Sequence, residues 1–337
     1  MPSFSVFDHA SPALLEWMKR AGTSRTLEGG STLIREGQAS ESLSVILNGS
    51  LTVTTTDNQE LQDQLATLGP GSLVGEMSWL EQRPAVATIT VPEGSTVLEL
   101  PLQQLERFQQ NSPNLVAELH KLIAQKLAVQ IQEQNAWAHR LNTDVCPVGA
   151  LRKVLVLFSR LHEQDVNRLA QLGRVVRLLP NTVLIRQGET VSALYLVLSG
   201  EAEILLTLAG TTQMVGSSRR GELLGEMSLL LKDQDGAAAS IHTTAGMDVL
   251  AMNLKQLQAT LEEDPALASR FYQGLACMLS QRSRDQLLTH QRAAASQQVE
   301  LDTMNRLDLN ELAAISRAAR HFDWMCRHFQ TGEAASA

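Results

Sequence analysis

The sequence predicts a mixed β and α fold: two tandem jelly-roll β-barrels, each flanked by helices, followed by a helical C-terminal segment. Two observations predict this fold. Short motifs recur in the same order about 150 residues apart, which is typical of a duplicated domain. Within each copy, alternating apolar residues and glycine turns give way to apolar residues at helical spacing, which indicates short strands that lead into helices.

The repeat is visible in five landmarks. Each landmark of the first half has a counterpart in the second half, and the order is the same in both. The pairs are LIREG (33–37) with LIRQG (184–188), LNG (47–49) with LSG (198–200), GEMS (75–78) with GEMS (225–228), LQQL (102–105) with LKQL (254–257), and Pro113 with Pro265. This agreement indicates a tandem duplication.

The strand pattern is clearest in ESLSVILNGSLTVTT. Leu43, Val45 and Leu47 alternate with polar or smaller residues and lead into Asn48-Gly49. That pattern predicts two strands joined as a hairpin by an Asn-Gly turn. The second copy repeats the arrangement in ALYLVLSGEAEILL, around Ser199-Gly200.

A closing helix follows each set of strands. After Pro113, residues Leu115, Leu119, Leu122, Lys126 and Val129 follow three-to-four spacing, and the residues after Pro265 do the same. Proline suits the first turn of a helix, where its missing N–H would have no intrahelical partner. The resulting domain boundaries are 11–141 for the first domain, 142–150 for a linker, 151–290 for the second domain and 291–337 for the C-terminal segment.

With these motifs in view, both copies resemble the cyclic nucleotide-binding domain of protein kinase A regulatory subunits and bacterial catabolite-activator-type regulators. The resemblance rests on the LIR-x-G turn, the L-x-G turn, the G-E-[LM] cassette and the closing helix, in that order. It implies a jelly roll of eight strands with flanking helices. It also implies that each cassette is a short helix between two strands. In that family the cassette glutamate binds the ribose 2′-hydroxyl, and an arginine directly after a proline pairs with the cyclic phosphate.

In the first cassette, GEMSWLEQRPAVAT (75–88), the family's phosphate arginine is replaced by Ala85. Arg83 lies two positions earlier and is either a substitute cation or an arginine on an exposed turn. An arginine suits this role because its planar fork of donors matches a phosphate. The candidate ligand-binding residues of the first copy are Gly75, Glu76, Met77, Arg83, Ala85, Ala87 and Thr88.

The second cassette keeps Gly225, Glu226 and Ser240, which are its candidate ligand-binding residues. Its connecting segment is two residues longer than that of the first copy and contains neither arginine nor proline. Asp233 and Asp235 lie in this segment without the remaining ligands of a calcium loop. For Glu76 and Glu226, two interpretations stay open: a ribose ligand, or a carboxylate that complements the N-terminus of its own short helix.

Composition limits the function classes. The net charge of −8 argues against nucleic-acid binding, which depends on lysine and arginine. No catalytic or metal-ligand constellation appears, so we expect a protein that is not an enzyme, with no cofactor and no metal. The first residues have no basic region followed by an apolar stretch, so we expect no signal peptide. The sequence has no run of the ~20 apolar residues that cross a bilayer, and its three cysteines lack metal-ligand spacing. We therefore expect a cytoplasmic protein without membrane contact.

Two helical regions are candidates for output. In the segment 309–329, one helix face carries Ile315, Phe322, Met325 and Phe329. This face docks a partner, lies on an anionic membrane surface, or packs against the second domain. The closing helices are the other candidate, since in the resembling family such helices pair in dimers. A homodimer is therefore a further expectation.

The resulting hypothesis is a regulatory protein that binds a nucleotide second messenger, favouring the first domain, and relays binding to a protein partner. The ligand would be a cyclic mononucleotide such as cyclic AMP, or a cyclic dinucleotide such as cyclic di-GMP. One alternative is a degenerate scaffold that binds no ligand and mediates protein contacts. A transcriptional regulator is disfavoured by the acidic charge and because too few residues follow the second domain for a winged helix.

Overall fold

The computed structural model describes residues 4–56, 62–140, 156–231, 236–295 and 309–332. The predicted linker 142–150, the two aspartates Asp233 and Asp235, and Cys146 lie outside the described residues. Cys277 and Cys326 are buried free thiols.

The first repeat consists of eight strands framed by helices. Its elements are α1 Val6–His9, α2 Pro12–Ala21, β1 Thr23–Leu27, β2 Thr32–Ile34, β3 Ser42–Asn48, β4 Leu51–Thr56, β5 Gln62–Leu68, β6 Leu73–Val74, α3 Glu76–Glu81, β7 Thr88–Thr90, β8 Ser95–Pro101, α4 Leu102–Asn111 and α5 Pro113–Arg140. The strands form two antiparallel four-stranded sheets, in the orders β1-β8-β3-β6 and β2-β7-β4-β5.

The second repeat has the same topology. After a helical turn at 156–160, its elements are α6 Glu163–Gln171, β9 Gly173–Leu178, β10 Val183–Ile185, β11 Ala193–Ser199, β12 Glu201–Leu208, β13 Thr211–Arg219, β14 Leu223–Leu224, α7 Glu226–Leu230, β15 Ser240–Thr243, β16 Met247–Asn253, α8 Leu254–Glu263 and α9 Pro265–Ala295. Its sheets, β14-β11-β16-β9 and β10-β15-β12-β13, match those of the first repeat strand for strand. The predicted mixed fold with two tandem jelly rolls is therefore confirmed.

The core of the first repeat lies between its two sheets. It contains Leu27, Ile46 and Val97 from one sheet and Leu51 and Ile89 from the other. On β3, four successive residues (43–46) are buried while Leu47 is 36% exposed. Both faces of this strand are therefore covered at its start, which departs from the alternating pattern that the sequence suggested.

The predicted hairpins at Asn48-Gly49 and Ser199-Gly200 are wrong. Gly49 does turn the chain, with φ of +87°, but β3 pairs with β6 and β8 whereas β4 pairs with β5 and β7. The turn carries the chain from one sheet to the other, and it packs against β8. A Cβ on Gly49 would lie 2.3 Å from Ser95 Oγ, and that hydroxyl also accepts from the Ser50 N–H at 3.2 Å.

The compact units are not contiguous in the sequence. The first comprises Met1–Val129 and Leu279–Val299, and the second comprises Gln130–Met278 and Glu300–Ala337. Each long closing helix, α5 and α9, therefore begins in one unit and ends in the other. The sequence-based boundaries, which treat each domain as one continuous stretch, stay a prediction.

The C-terminal helix α10 Leu309–Gly332 packs within the second unit, against α6. Phe322 and Met325 are buried, at 7% and 1% exposure. The Phe322 ring meets Phe158 edge to face at 5.7 Å, and the Arg220 guanidinium lies 5.2 Å from the same ring.

Of the interpretations that the sequence left open, packing against the second domain agrees with the burial of Phe322 and Met325, and docking of a partner on this helix stays a prediction. Phe329 is half-buried beside His328, with ring centroids 5.3 Å apart. The side chain of Ile315 lies outside the described residues.

Candidate functional site

The first cassette connects β6 to β7 through the short helix α3. Gly75 precedes α3 with a left-handed φ of +88°, which favours glycine. A Cβ at this position would lie 2.6 Å from the backbone oxygen of Ser42. Any larger residue would push the cassette away from β3, so Gly75 shapes the site through its backbone.

The carboxylate of Glu76 is buried and ion-paired. Its side chain is 4% exposed, and the Lys126 ammonium donates a hydrogen bond to its Oε1 from helix α5. Charges buried away from water lose their hydration, so removing one partner of such a pair leaves the other without compensation. Glu76 therefore links the cassette to the closing helix, and the two interpretations offered from the sequence, a ribose ligand or a complement to its own helix N-terminus, stay predictions.

Lys126 was not among the site residues predicted from the sequence, although its position in the sequence was unusual. It occupies a position on the apolar stripe of α5, between Leu122 and Val129. A lysine on an apolar helix face needs an anionic partner when it is buried. The sequence alone does not identify that partner, because Glu76 is 50 residues away along the chain.

The position of the family's phosphate arginine is held firmly by the backbone. The Ala85 N–H donates to the Gln38 oxygen, and the Gly37 N–H donates to the Ala85 oxygen, both at 2.9 Å. In the second repeat, Ala237 makes the same pair of bonds with Gly188 and Glu189. Ala85 and Ala237 are therefore structurally equivalent, and neither cassette has an arginine there.

The hydroxyl groups at the end of each cassette tie it to the preceding turn. Thr88 Oγ1 accepts from the Glu36 N–H at 3.1 Å, and Ser240 Oγ accepts from the Gln187 N–H at 2.9 Å. Of the remaining candidates, Ala87 is buried and Met77 is half-buried. Ligand binding by these residues stays a prediction.

Arg83 is half-buried and lies close enough to Glu81 for its charge to lower the pKa of that carboxyl group. Burial has the larger, opposite effect and holds the pKa of Glu81 above its ordinary value. Arg83 therefore contributes to the electrostatics at the end of α3. Its assignment as a substitute phosphate anchor stays a prediction.

Glu81 forms a second buried ion pair of the first unit. Arg284 Nε donates to Glu81 Oε2 at 2.7 Å, and the two side chains are 10% and 1% exposed. Ser280 Oγ donates to the other carboxylate oxygen, and Arg284 Nη1 donates to the Pro84 oxygen at 3.1 Å. No motif in the sequence marks Glu81, Ser280 or Arg284 as site residues.

The second cassette has the same backbone but different neighbours. Gly225 has φ of +85°, and Glu226 is 4% exposed. Given the repeat, Met278 occupies the position of Lys126, and it is buried. The glutamate is thus common to both copies, whereas the lysine belongs to the first copy alone.

Within the described ranges, no group of three or more histidine, cysteine or acidic side chains is arranged to hold a metal ion. In the same part of the chain, no helix is both long and apolar enough to cross a membrane.

The family model of the cyclic nucleotide-binding domain matches residues 24–112 and 175–264, which together make up more than half of the chain. The protein belongs to this family, and it carries two copies of the domain in tandem. The family resemblance inferred from the sequence motifs is thereby confirmed.

Several characterised proteins are similar to this chain. A cAMP-dependent protein kinase regulatory subunit from Yarrowia lipolytica is 24% identical over 60% of this chain and 45% of its own length. Glutaminase 1 from Bradyrhizobium diazoefficiens is 32% identical over 34% of this chain and 18% of its own. The chain thus matches less than half the length of each relative. Among solved structures, the regulatory domain of Toxoplasma gondii protein kinase A with cAMP is similar at 18% identity, with a TM-score of 0.30, covering 76% of this chain and 87% of that one.

Proposed function

We propose that this protein is a non-enzymatic regulator that binds a nucleotide second messenger in its first domain and relays the bound state to a protein partner. The observation that carries the proposal is the buried pair of Glu76 and Lys126. It connects the residue that faces ribose in this family to the closing helix α5. A ligand that moves the cassette would therefore move the helix as well.

The replacement of arginine by Ala85 determines the expected affinity. A hydrogen bond to a charged group contributes roughly 1.5–3 kcal/mol. Its loss lowers phosphate affinity by about one to two orders of magnitude. The proposed ligands are therefore cyclic AMP, cyclic GMP and cyclic di-GMP, bound more weakly than by a cassette that has the arginine.

Isothermal titration calorimetry of the full chain against these three nucleotides tests the proposal. We expect saturable binding at one site per chain, weakened by Glu76→Ala. Glu226→Ala is the matched control in the second cassette and should leave the affinity unchanged. If Glu226→Ala abolishes binding and Glu76→Ala does not, the first domain is the wrong assignment.

A ligand-free scaffold is the second candidate function. It is favoured by Ala85 and Ala237, which stand where the family has its phosphate arginine, and by Lys126, which already pairs with Glu76. Absence of heat for all three nucleotides, with folded protein, would favour the scaffold over the sensor.

A further inference from the structure

The second half of α9 supplies side chains to the first cassette. α9 runs from Pro265 to Ala295, and its residues from Leu279 onward belong to the first unit. Ser280 and Arg284 lie one helical turn apart in this half, so they project from the same face. Both contact the carboxylate of Glu81, the last residue of α3.

Arg284 connects the two ends of a short turn. Its Nε bonds Glu81 at the end of α3, and its Nη1 bonds the oxygen of Pro84, which directly precedes Ala85. The turn between them includes Gln82, a non-glycine residue with a left-handed φ of +53°. Such backbone geometry is unfavourable for most residues and persists when its surroundings hold it.

The ion pair between Glu81 and Arg284 is buried, which restricts its geometry. The Glu81 side chain is 1% exposed and that of Arg284 is 10% exposed. Two charges removed from water are tolerated only with good geometry and further hydrogen bonds, which Ser280 and Pro84 provide here. A displaced turn would leave a buried charge without a partner, so the pair favours a single position of the turn.

The repeat shows that this pair is specific to the first cassette. The position equivalent to Glu81 is Leu231, and the position of α5 equivalent to Arg284 is Gln132. The second copy therefore lacks both charged partners. The buried pair is a feature of one site and not of the fold as a whole.

We propose that Arg284 and Ser280 are positioning residues of the first ligand site, holding the turn from Glu81 to Ala85 in place from helix α9. In this family a bound nucleotide places its phosphate near that turn, so this inference rests on the proposed function for its ligand. The positioning itself concerns the free protein. It implies that the first repeat needs residues 279–287 to give its cassette the shape described here.

Hydrogen–deuterium exchange of the ligand-free full chain tests the positioning. Arg284→Ala leaves Glu81 buried and unpaired and can unfold the unit, so Glu81→Leu/Arg284→Met is the main variant. Replacing both charges by apolar groups of similar volume preserves folding. We expect exchange in peptides covering 76–88 to become roughly tenfold faster, with no change at the second cassette.

Asp165→Leu/Arg270→Met is the matched control. Arg270 lies on the same helix and pairs with Asp165 at 2.6 Å in the second unit, so replacing this pair should not alter exchange at 76–88. Unchanged exchange at 76–88 in the folded double variant would overturn the proposal.

Titration with cyclic AMP separates this inference from the proposed function. If the wild-type protein binds cyclic AMP, the double variant should bind it about tenfold more weakly, because the turn must be ordered on binding. Equal affinity would overturn the positioning role. If the wild-type protein binds none of the nucleotides and exchange at 76–88 still rises, the positioning is supported and the proposed function is the part that fails.

Discussion

The two cassettes have nearly the same backbone and different charges. Both begin at a left-handed glycine, Gly75 or Gly225, and continue into a short helix whose first residue is a buried glutamate. At the later alanine, both cassettes form the same pair of backbone hydrogen bonds to the turn that follows β2 or β10. The shape of the cassette is therefore retained without the phosphate arginine.

The difference lies in the residues at equivalent positions of the two repeats. Lys126 and Arg284 contact Glu76 and Glu81 in the first unit. The corresponding positions of the second repeat hold Met278 for Lys126 and Leu231 for Glu81. The comparison shows that turn glycines and backbone bonds maintain the shape, whereas side chains from the helices set the charge. Duplication preserved the first property, and the two copies diverged in the second.

The largest effect is expected for Arg284→Ala, which leaves the Glu81 carboxylate buried without its cation. Breaking one side of a buried pair costs about 3–5 kcal/mol. Urea unfolding of the full chain should show this loss in the transition of the first unit. Glu81→Leu/Arg284→Met should be close to the wild-type stability, and equal losses in both variants would contradict a charge-based explanation.

A smaller loss is expected for Lys126→Met, which gives the first repeat the residue of the second. Lys126 is 16% exposed, so water screens its pair with Glu76 in part, and we expect a loss of about 2–3 kcal/mol. Thermal or urea unfolding measures it. Lys19→Met, at an exposed lysine of α2, is the control and should have little effect. If Lys126→Met did not change the free energy of unfolding, Glu76 would have another partner in the variant.

Ala85→Arg should restore the missing phosphate contact. We expect cyclic AMP affinity to rise roughly 10- to 100-fold, which corresponds to about 1.5–3 kcal/mol. Ala237→Arg should gain less, because the second connecting segment is two residues longer. Calorimetry measures both variants, and Ala85→Leu controls for side-chain volume. No gain in either arginine variant would show that the retained shape no longer accepts a cyclic phosphate.

The smallest expected effects are on the pH dependence of the unfolding free energy, which should have opposite sign in the two units. Although burial opposes it, hydrogen bonds from Arg270 and the His162 N–H hold the pKa of Asp165 below 3.8. The stability from Asp165 is present above that value and is lost as the pH falls through the folded pKa. Burial raises the pKa of Glu81 above 4.5, so its contribution falls as the pH rises from 4.5 through the folded pKa.

Unfolding of the wild type, Asp165→Asn and Glu81→Gln between about pH 3 and pH 7 measures these slopes. In the second unit, Asp165→Asn should reduce the loss of unfolding free energy as the pH falls. In the first unit, Glu81→Gln should reduce the loss of unfolding free energy as the pH rises. The same slope in both variants would contradict the assignment of these carboxyl groups.

The shape of the first cassette was predictable because its determinants are local. Gly75, Glu76 and Ala85 lie within one cassette, so the missing arginine was evident from spacing alone. For Lys126, the need for an anionic partner was predictable from its position on an apolar helix face, but the identity of that partner was not. Arg284 was not predictable, because about 200 residues separate it from Glu81 and nothing local links them.

By itself, the sequence determined the duplication, the alternation of short strands and helices, and the residues of each cassette. These follow from periodicity, glycine turns and repeated spacing, which act over a few residues. Only the tertiary structure decided that the chain crosses between sheets at Asn48-Gly49 and that α5 and α9 each end in the other unit. It also decided that Glu76 pairs with Lys126 and Glu81 with Arg284. These outcomes depend on packing between segments far apart in the chain, where burial of apolar surface and pairing of buried charges select the neighbours.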